Sequence, residues 1–248
     1  LKALGGAERF VRPGDRVVIK VNAAFASPPA ISATSHPDLV AAMVTACLEA
    51  GAADVVVTDN PINDPGSCFR LTGIGPAAEV AGGRVALPTA DRFAPVSLSG
   101  ARLIRDWPVL VGPLATADCL IGMAPLKDHH RSGASMTIKN WYGLLGGRRN
   151  VFHQDIHTII TELAALVRPT LVILDAVTAM MQNGPTGGSI SDLADTNTLV
   201  AGIDPLAVDA AGAEILGRRL DQLPHLQQAA DAGLGTLDYR TLSPVDAT

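Results

Sequence analysis

Arg16-Val-Val-Ile-Lys-Val-Asn22, set off by the turn Pro13-Gly14-Asp15, is the stretch that decides the fold. An apolar, β-branched run behind a Pro-Gly-Asp turn reads as a strand. His36-Pro37 then opens a helix whose apolar face carries Leu39, Met43, Ala46 and Leu48, and Gly51 ends it. Asp54-Val-Val-Val-Thr-Asp59 is a second strand. A strand, a helix and a strand of these lengths make a βαβ unit, because parallel neighbours need a crossover of about a dozen residues or more.

The same alternation continues outward. Residues 60–77 read as a loop rich in Pro, Gly, Asn and Asp, followed by a short helix at 77–81 and a short strand at 84–87. Residues 88–112 read as irregular or as short antiparallel strands. Cys119-Leu-Ile-Gly-Met-Ala124 is a strand expected to end at Pro125, and a helix is expected from about 154 to 167. Strands follow at 170–175 and 198–203. Asp204-Pro205 caps a helix running to Gly217, and the tail from Asp221 is a short helix and a loop. Alternating strands and helices imply an α/β fold: a mainly parallel, doubly wound sheet flanked by helices, with a small irregular or antiparallel insert around 84–112. With no repeat, low-complexity linker or clean boundary, residues 1–248 read as a single α/β domain.

Composition narrows the function classes. Hydrophobic residues make up 48% and charged residues 17%, which is a globular balance and not a disordered one. The net charge is -5, and the only dense basic cluster is Arg148-Arg149, so nucleic acid is not an expected partner. No apolar run is long enough to span a bilayer. The three cysteines, Cys47, Cys68 and Cys119, form no CxxC pair and are too few for a four-cysteine iron–sulfur cluster in this chain alone. Cys47 and Cys119 lie in apolar patterns and read as buried thiols. Cys68 reads as a loop thiol open to reaction.

Ligands in open parallel sheets bind beyond the carboxyl ends of the strands. Lys20, Asn22, Asp59, Asn60, Lys127, Asp175 and Asp204 fall there. The densest polar window runs from Lys127-Asp-His129-His130, through Ile138-Lys139-Asn140-Trp-Tyr-Gly143 and Gly146-Gly-Arg148-Arg149, to His153-Gln-Asp155-Ile-His157. It holds four of the six histidines, and clustered imidazoles suit a divalent metal, with His129, His153 and Asp155 as candidate ligands. His157 reads as part of a solvated helix start. Lys20, Lys127, Lys139, Arg148 and Arg149 suit a carboxylate or phosphate, with Asn22, Asp59, Asn140 and Asp175 completing the pocket. Gly146-Gly147 and the Asn183-Gly-Pro-Thr-Gly-Gly188 loop would let backbone amides approach an anion. A lysine depressed in pKa by neighbouring cations serves as a base or Schiff-base nucleophile, so Lys139 and Lys127 are the catalytic candidates. A structural alternative for Lys139 has Asp175 as its acid partner. Gly73-Ile-Gly75-Pro-Ala-Ala78 matches GxGxxA but follows a loop and carries Pro76, so it is discounted as a dinucleotide site.

Taken together, Val18-Ile-Lys20-Val-Asn22, Thr34-Ser-His-Pro37, Thr58-Asp59-Asn60, Lys127-x-His129, Ile138-Lys139-Asn140-Trp-Tyr-Gly143, His153, Asp175, Gly184-Pro-Thr-Gly-Gly188 and Asp204-Pro-Leu-Ala-Val-Asp209 resemble the domain of unknown function 362 family. The order and spacing agree from about residue 10 to 235. The resemblance implies no settled biochemical role. Some members carry an added ferredoxin-like segment that is missing here, so no iron–sulfur cluster is carried over. Similar members are exported through the twin-arginine route, which fits a chain beginning at Leu1 and implies a periplasmic or exported location, with a cytoplasmic one as the alternative. Such relatives have two cysteines after the Asp59-Asn60 position, where this chain keeps only Cys68. Three functions compete: a metal-assisted enzyme acting on a small anionic substrate, a non-catalytic metal- or ligand-binding protein, and a redox accessory to an iron–sulfur partner. Assembly into an oligomer is left open.

Overall fold

The structure is a computed structural model that describes residues 1–247. Strands β1 (Arg16–Lys20), β2 (Asp54–Thr58) and β3 (Arg84–Ala86) lie side by side in parallel. β4 (Phe93–Val96) and β5 (Trp107–Leu110) form a separate antiparallel pair. β6 (Cys119–His129) runs parallel to β1 on the side away from β2, and β7 (Gly133–Ser135) folds back on its end. β8 (Leu171–Met180) is parallel to β6, and β9 (Leu193–Gly202) closes the edge antiparallel to β8. The main sheet therefore has the order β3-β2-β1-β6-β8-β9, and the expected mainly parallel, doubly wound architecture holds.

Helices cover both faces. They are α1 (Pro37–Glu49), α2 (Pro65–Leu71), α3 (Ile74–Val80), α4 (Thr137–Asn140), α5 (Ile156–Leu166), α6 (Pro205–Ile215) and α7 (Pro224–Asp231). On one face Val17 and Ile19 of β1, Val55 and Val57 of β2, and Ile121 and Met123 of β6 pack on Val40, Met43 and Val44 of α1. On the other, Leu126 of β6 with Val172 and Leu174 of β8 pack on Ile159, Ile160 and Leu163 of α5 and on Leu206 and Ala213 of α6. This double cover is why β1, β2 and β6 are apolar almost throughout and do not alternate. Truncating a fully buried member such as Ile19 or Ile121 to alanine costs about 2–5 kcal/mol. Among the described residues, no helix is long and apolar enough to cross a membrane.

Several local expectations need correction. β6 does not stop at Pro125. A register shift between Pro125 and Lys127 absorbs the missing proline N–H, and pairing with β7 carries the strand on to His129. The expected loop at 60–77 contains α2 and most of α3, because Asp64 caps α2 by accepting from the Ser67 amide at 2.8 Å and Pro65 presets its first turn. The GxGxxA match lies largely inside α3. β3 belongs to the main sheet, so the antiparallel insert is confined to β4 and β5.

The connection through α1 carries the chain from β1 to β2 on one side, while β6 lies on the other. Strand order thus reverses at β1, and the carboxyl ends of β1 and β6 border a crevice of the kind that receives ligands in such sheets.

Candidate functional site

Lys20 is the last residue of β1, and Asp59 follows β2 at the same level. Their side chains are 1% and 2% exposed, and they pair at 2.8 Å. Lys20 Nζ also donates to the Asn140 backbone oxygen at 2.5 Å and to its Oδ1 at 2.8 Å. The Asn140 amide donates in turn to the Met123 carbonyl at 3.0 Å, which ties α4 to β1 and β6. Gly143 seats over this pair. A Cβ there would overlap Asp59 Oδ1 and lie 2.6 Å from Lys20 Nζ, so only glycine lets the chain pass.

The extension of β6 places the next two groups. Lys127 and His129 share one strand face and line the cavity, whereas the Asp128 carboxylate engages Arg218 at 2.6 Å and the Gly184 amide at 3.1 Å. Lys127 Nζ donates to the Ala33 carbonyl at 2.6 Å and lies 5.4 Å from the Phe25 ring centre. His129 Nδ1 accepts from the backbone amides of Arg131 and Ser132 at 3.2 and 3.3 Å. An acceptor nitrogen carries no proton, so the neutral ring bears its hydrogen on Nε2.

Lys139 stands on α4, whose first turn is held by Asp209. That buried carboxyl accepts from the Thr137 amide and hydroxyl at 2.8 and 2.5 Å and from the Ile138 amide at 3.1 Å. Burial pushes Asp209 up to about 7 against the opposing pull of these bonds. Lys139 Nζ lies 5.7 Å from the Tyr142 ring centre, and it has no hydrogen bond or ion pair among the described residues. Arg149 is committed elsewhere: its guanidinium donates to the carbonyls of Asn60, Pro61, Leu145 and Tyr142 at 2.8, 3.1, 3.2 and 3.4 Å. The Tyr142 hydroxyl donates to the Arg149 carbonyl at 2.5 Å and touches His153 Nδ1 at 3.3 Å.

These groups enclose a cavity of about 450 Å³. Lys20, Lys127, Lys139 and Arg149 line it against a single carboxylate, Asp59, among the described residues. The imbalance shows in the protonation equilibria. Burial, then the charge on Lys139, brings Lys127 down to about 7. Burial, then the charges on Lys20 and Arg149, brings Lys139 down to about 7, although part of that residue opens on the cavity. Burial also lowers Lys20, with Asp59 opposing. Burial and the adjacent Lys139 hold His129 far below its ordinary value, so it stays neutral.

Nine sequence candidates meet here: Lys20, Asn22, Asp59, Lys127, His129, Lys139, Asn140, Arg149 and His153. Three do not. Asp155 pairs with Arg102 outside the cavity. Arg148 is exposed to solvent and does not line the cavity. Asp175 lies beside His36, with Oδ1 accepting from the Val177 amide at 3.1 Å, and is no partner of Lys139. Cys68 is also corrected: it is buried in α2, and burial pushes its thiol up, away from reactivity. His157 stacks on His225, 5.4 Å between ring centres. Phe25, Ser135 and Tyr142 line the cavity without having been expected there. A countable signal was present in the sequence: the chain has four lysines against fifteen arginines, and three of those four lysines line this one cavity.

The residues do not fit a divalent metal. Among the described residues, no three His, Cys, Asp or Glu side chains are grouped to hold one. A ligating histidine donates its second ring nitrogen to an acceptor. His129 instead accepts backbone N–H groups at Nδ1, which leaves Nε2 as a donor. Donors and cations are what an anion requires.

Residues 17–214 match the family described as Domain of unknown function (DUF362). The chain belongs to this family. The DUF362 match runs from β1 into α6 and takes in every cavity residue named above. A thylakoid-associated protein of Synechocystis sp. (strain ATCC 27184 / PCC 6803 / Kazusa) is 29% identical over 252 aligned positions, covering 95% of this chain and 73% of that protein.

Proposed function

We propose that the cavity at the carboxyl ends of β1 and β6 binds a small anionic molecule through a carboxylate or phosphate group, as the substrate site of an enzyme. One observation carries this reading: four cations face one carboxylate in one cavity, and two of them are lysines that burial first, and neighbouring cations second, bring down to about 7 where counter-charge is short. An entering anion supplies that charge and restores both lysines to the ammonium form. The neutral His129 ring adds an Nε2–H donor that cannot revert to an acceptor while its Nδ1 holds two amides. The 183–186 loop also lines the cavity. Asp128 accepts its Gly184 amide, and a Cβ on Gly184 would overlap the Asp128 carbonyl.

Calorimetric titration with sulfate, inorganic phosphate and malonate at pH 6.5 tests the reading. Binding at micromolar to low millimolar concentration is expected, and Lys139→Met should weaken it by about tenfold or more, the scale of one charge-assisted contact in a partly dry site. Absence of binding by all three anions, or equal affinity in Lys139→Met, contradicts the reading. A catalytic role, as against capture alone, is favoured by Lys139, a cavity amine with no structural commitment among the described residues.

A further inference from the structure

Each cation of the cavity except one has a task that the fold already requires. Lys20 is bound to Asp59 and Asn140, Lys127 donates to Ala33, and Arg149 ties four carbonyls together. Lys139 alone of the four has no partner of this kind among the described residues, yet its turn is anchored from below by the three bonds to Asp209. A rigidly mounted amine with no hydrogen-bond acceptor or carboxylate against it is placed to use its lone pair. Arginine supplies nearly all the cations elsewhere in this chain, and lysine is kept where a nitrogen able to lose its proton would matter.

We propose that Lys139 is a covalent amine nucleophile that condenses with the carbonyl of a small 2-oxo acid, whose carboxylate is held by Lys127 and the Nε2–H of His129. This rests on the anion-binding reading and deepens it by naming the substrate class. A 2-oxo acid carries the two features the walls ask for on adjacent carbons: an acid group for the cations and an electrophilic carbon for the amine. The lone pair of the unprotonated Lys139 Nζ forms the C–N bond, the carbonyl oxygen takes the two amine protons and leaves as water, and the imine nitrogen takes up one proton from solvent. The product is a protonated imine. Nothing is oxidised or reduced, and no co-reactant is needed. At neutral pH about half of Lys139 is unprotonated, which supplies the attacking form. A second cavity of about 510 Å³ shares Tyr142, Arg149 and His153 with the first and reaches Phe93, so the acid's substituent has an aromatic-lined path outward.

The test is reductive trapping. The intact chain is incubated with pyruvate and sodium borohydride at pH 7, digested and mapped by mass spectrometry. Lys2 is the only lysine outside the cavity, which gives the map a low background. One reduced adduct on Lys139 is expected, at least about tenfold above Lys2 and suppressed by excess sulfate. Lys139→Arg should abolish the adduct while holding sulfate affinity within about threefold, because the charge remains. The peptide map of the unmutated protein decides the matter even if that variant folds poorly. If pyruvate displaces sulfate but leaves Lys139 unmodified, or the label falls equally on Lys2, covalent capture is overturned and the anion site stands. If sulfate binds and pyruvate does not compete, the 2-oxo acid assignment alone is overturned. If no anion binds, the site reading fails and the proposal with it.

Discussion

Sulfate affinity should fall steeply as pH rises from 6 to 8. Lys127 and Lys139 both lie near 7, so each is about nine-tenths protonated at pH 6 and about one-tenth at pH 8. The charged form is the low-pH form, and it is the form an anion selects. An anion that needs both ammonium groups therefore loses about tenfold per lysine, or about a hundredfold across the window. Sulfate keeps its charge throughout that range, so the change belongs to the protein. His129 adds nothing to the slope, because burial and Lys139 keep it neutral. Calorimetry in two buffers of different ionisation enthalpy gives the protons taken up on binding. The expected uptake at pH 8 is about two per sulfate, falling to about one in Lys139→Met. Affinity that stays level or rises with pH, or binding without proton uptake, would refute the account of two lysines short of counter-charge.

Three further outcomes follow from individual contacts. Asp59→Asn leaves the Lys20 ammonium buried without its partner and should cost about 3–5 kcal/mol in urea unfolding, with much of the loss recovered in the Lys20→Met/Asp59→Asn double variant; a cost below about 1 kcal/mol would show that the pair is not what holds this corner. Gly184→Ala drives a methyl into the Asp128 carbonyl, so a loss of about 1–3 kcal/mol and weaker sulfate binding are expected; a thermal melt and a titration both matching the unmutated protein would count against the packing described. His225 is 1% exposed, and burial and the neighbouring His157 bring it down to about 3. A depressed histidine contributes stability that is present above its unfolded value near 6.5 and is lost as pH falls toward 3. Between pH 7 and 5 this loss is about 2 kcal/mol. His225→Leu should flatten that part of the stability curve, and an unchanged acid slope would assign it to other groups.

Sequence by itself determined the βαβ core and the strand ends from which the cavity is built. β1 and α1 were legible because a turn, an apolar run and a Pro-led helix each have a local cause. Lys20 and Asn22 were placed on one face by strand periodicity alone. Pro125 misled for an equally local reason: a proline without an N–H reads as a stop, and only pairing with β7 and a shift against β8 let β6 continue to His129. Tertiary structure alone decided which polar residues converge. Asp155 and Arg148 lie in the same window as His153 and Arg149, but Arg102 draws the first away and solvent takes the second. Asp175 reads as a strand end like Asp59, yet β8 runs on to Met180 and Asp175 lies beside His36 and not in the cavity. The tautomer of His129 was likewise beyond the sequence, since two backbone amides donate to its Nδ1 and leave the hydrogen on Nε2. Linear order gives residue types and periodicity, which act over a few residues. Charge balance in a cavity is a sum over segments more than a hundred residues apart, as Lys20 and Asn140 are, and only the folded chain performs it.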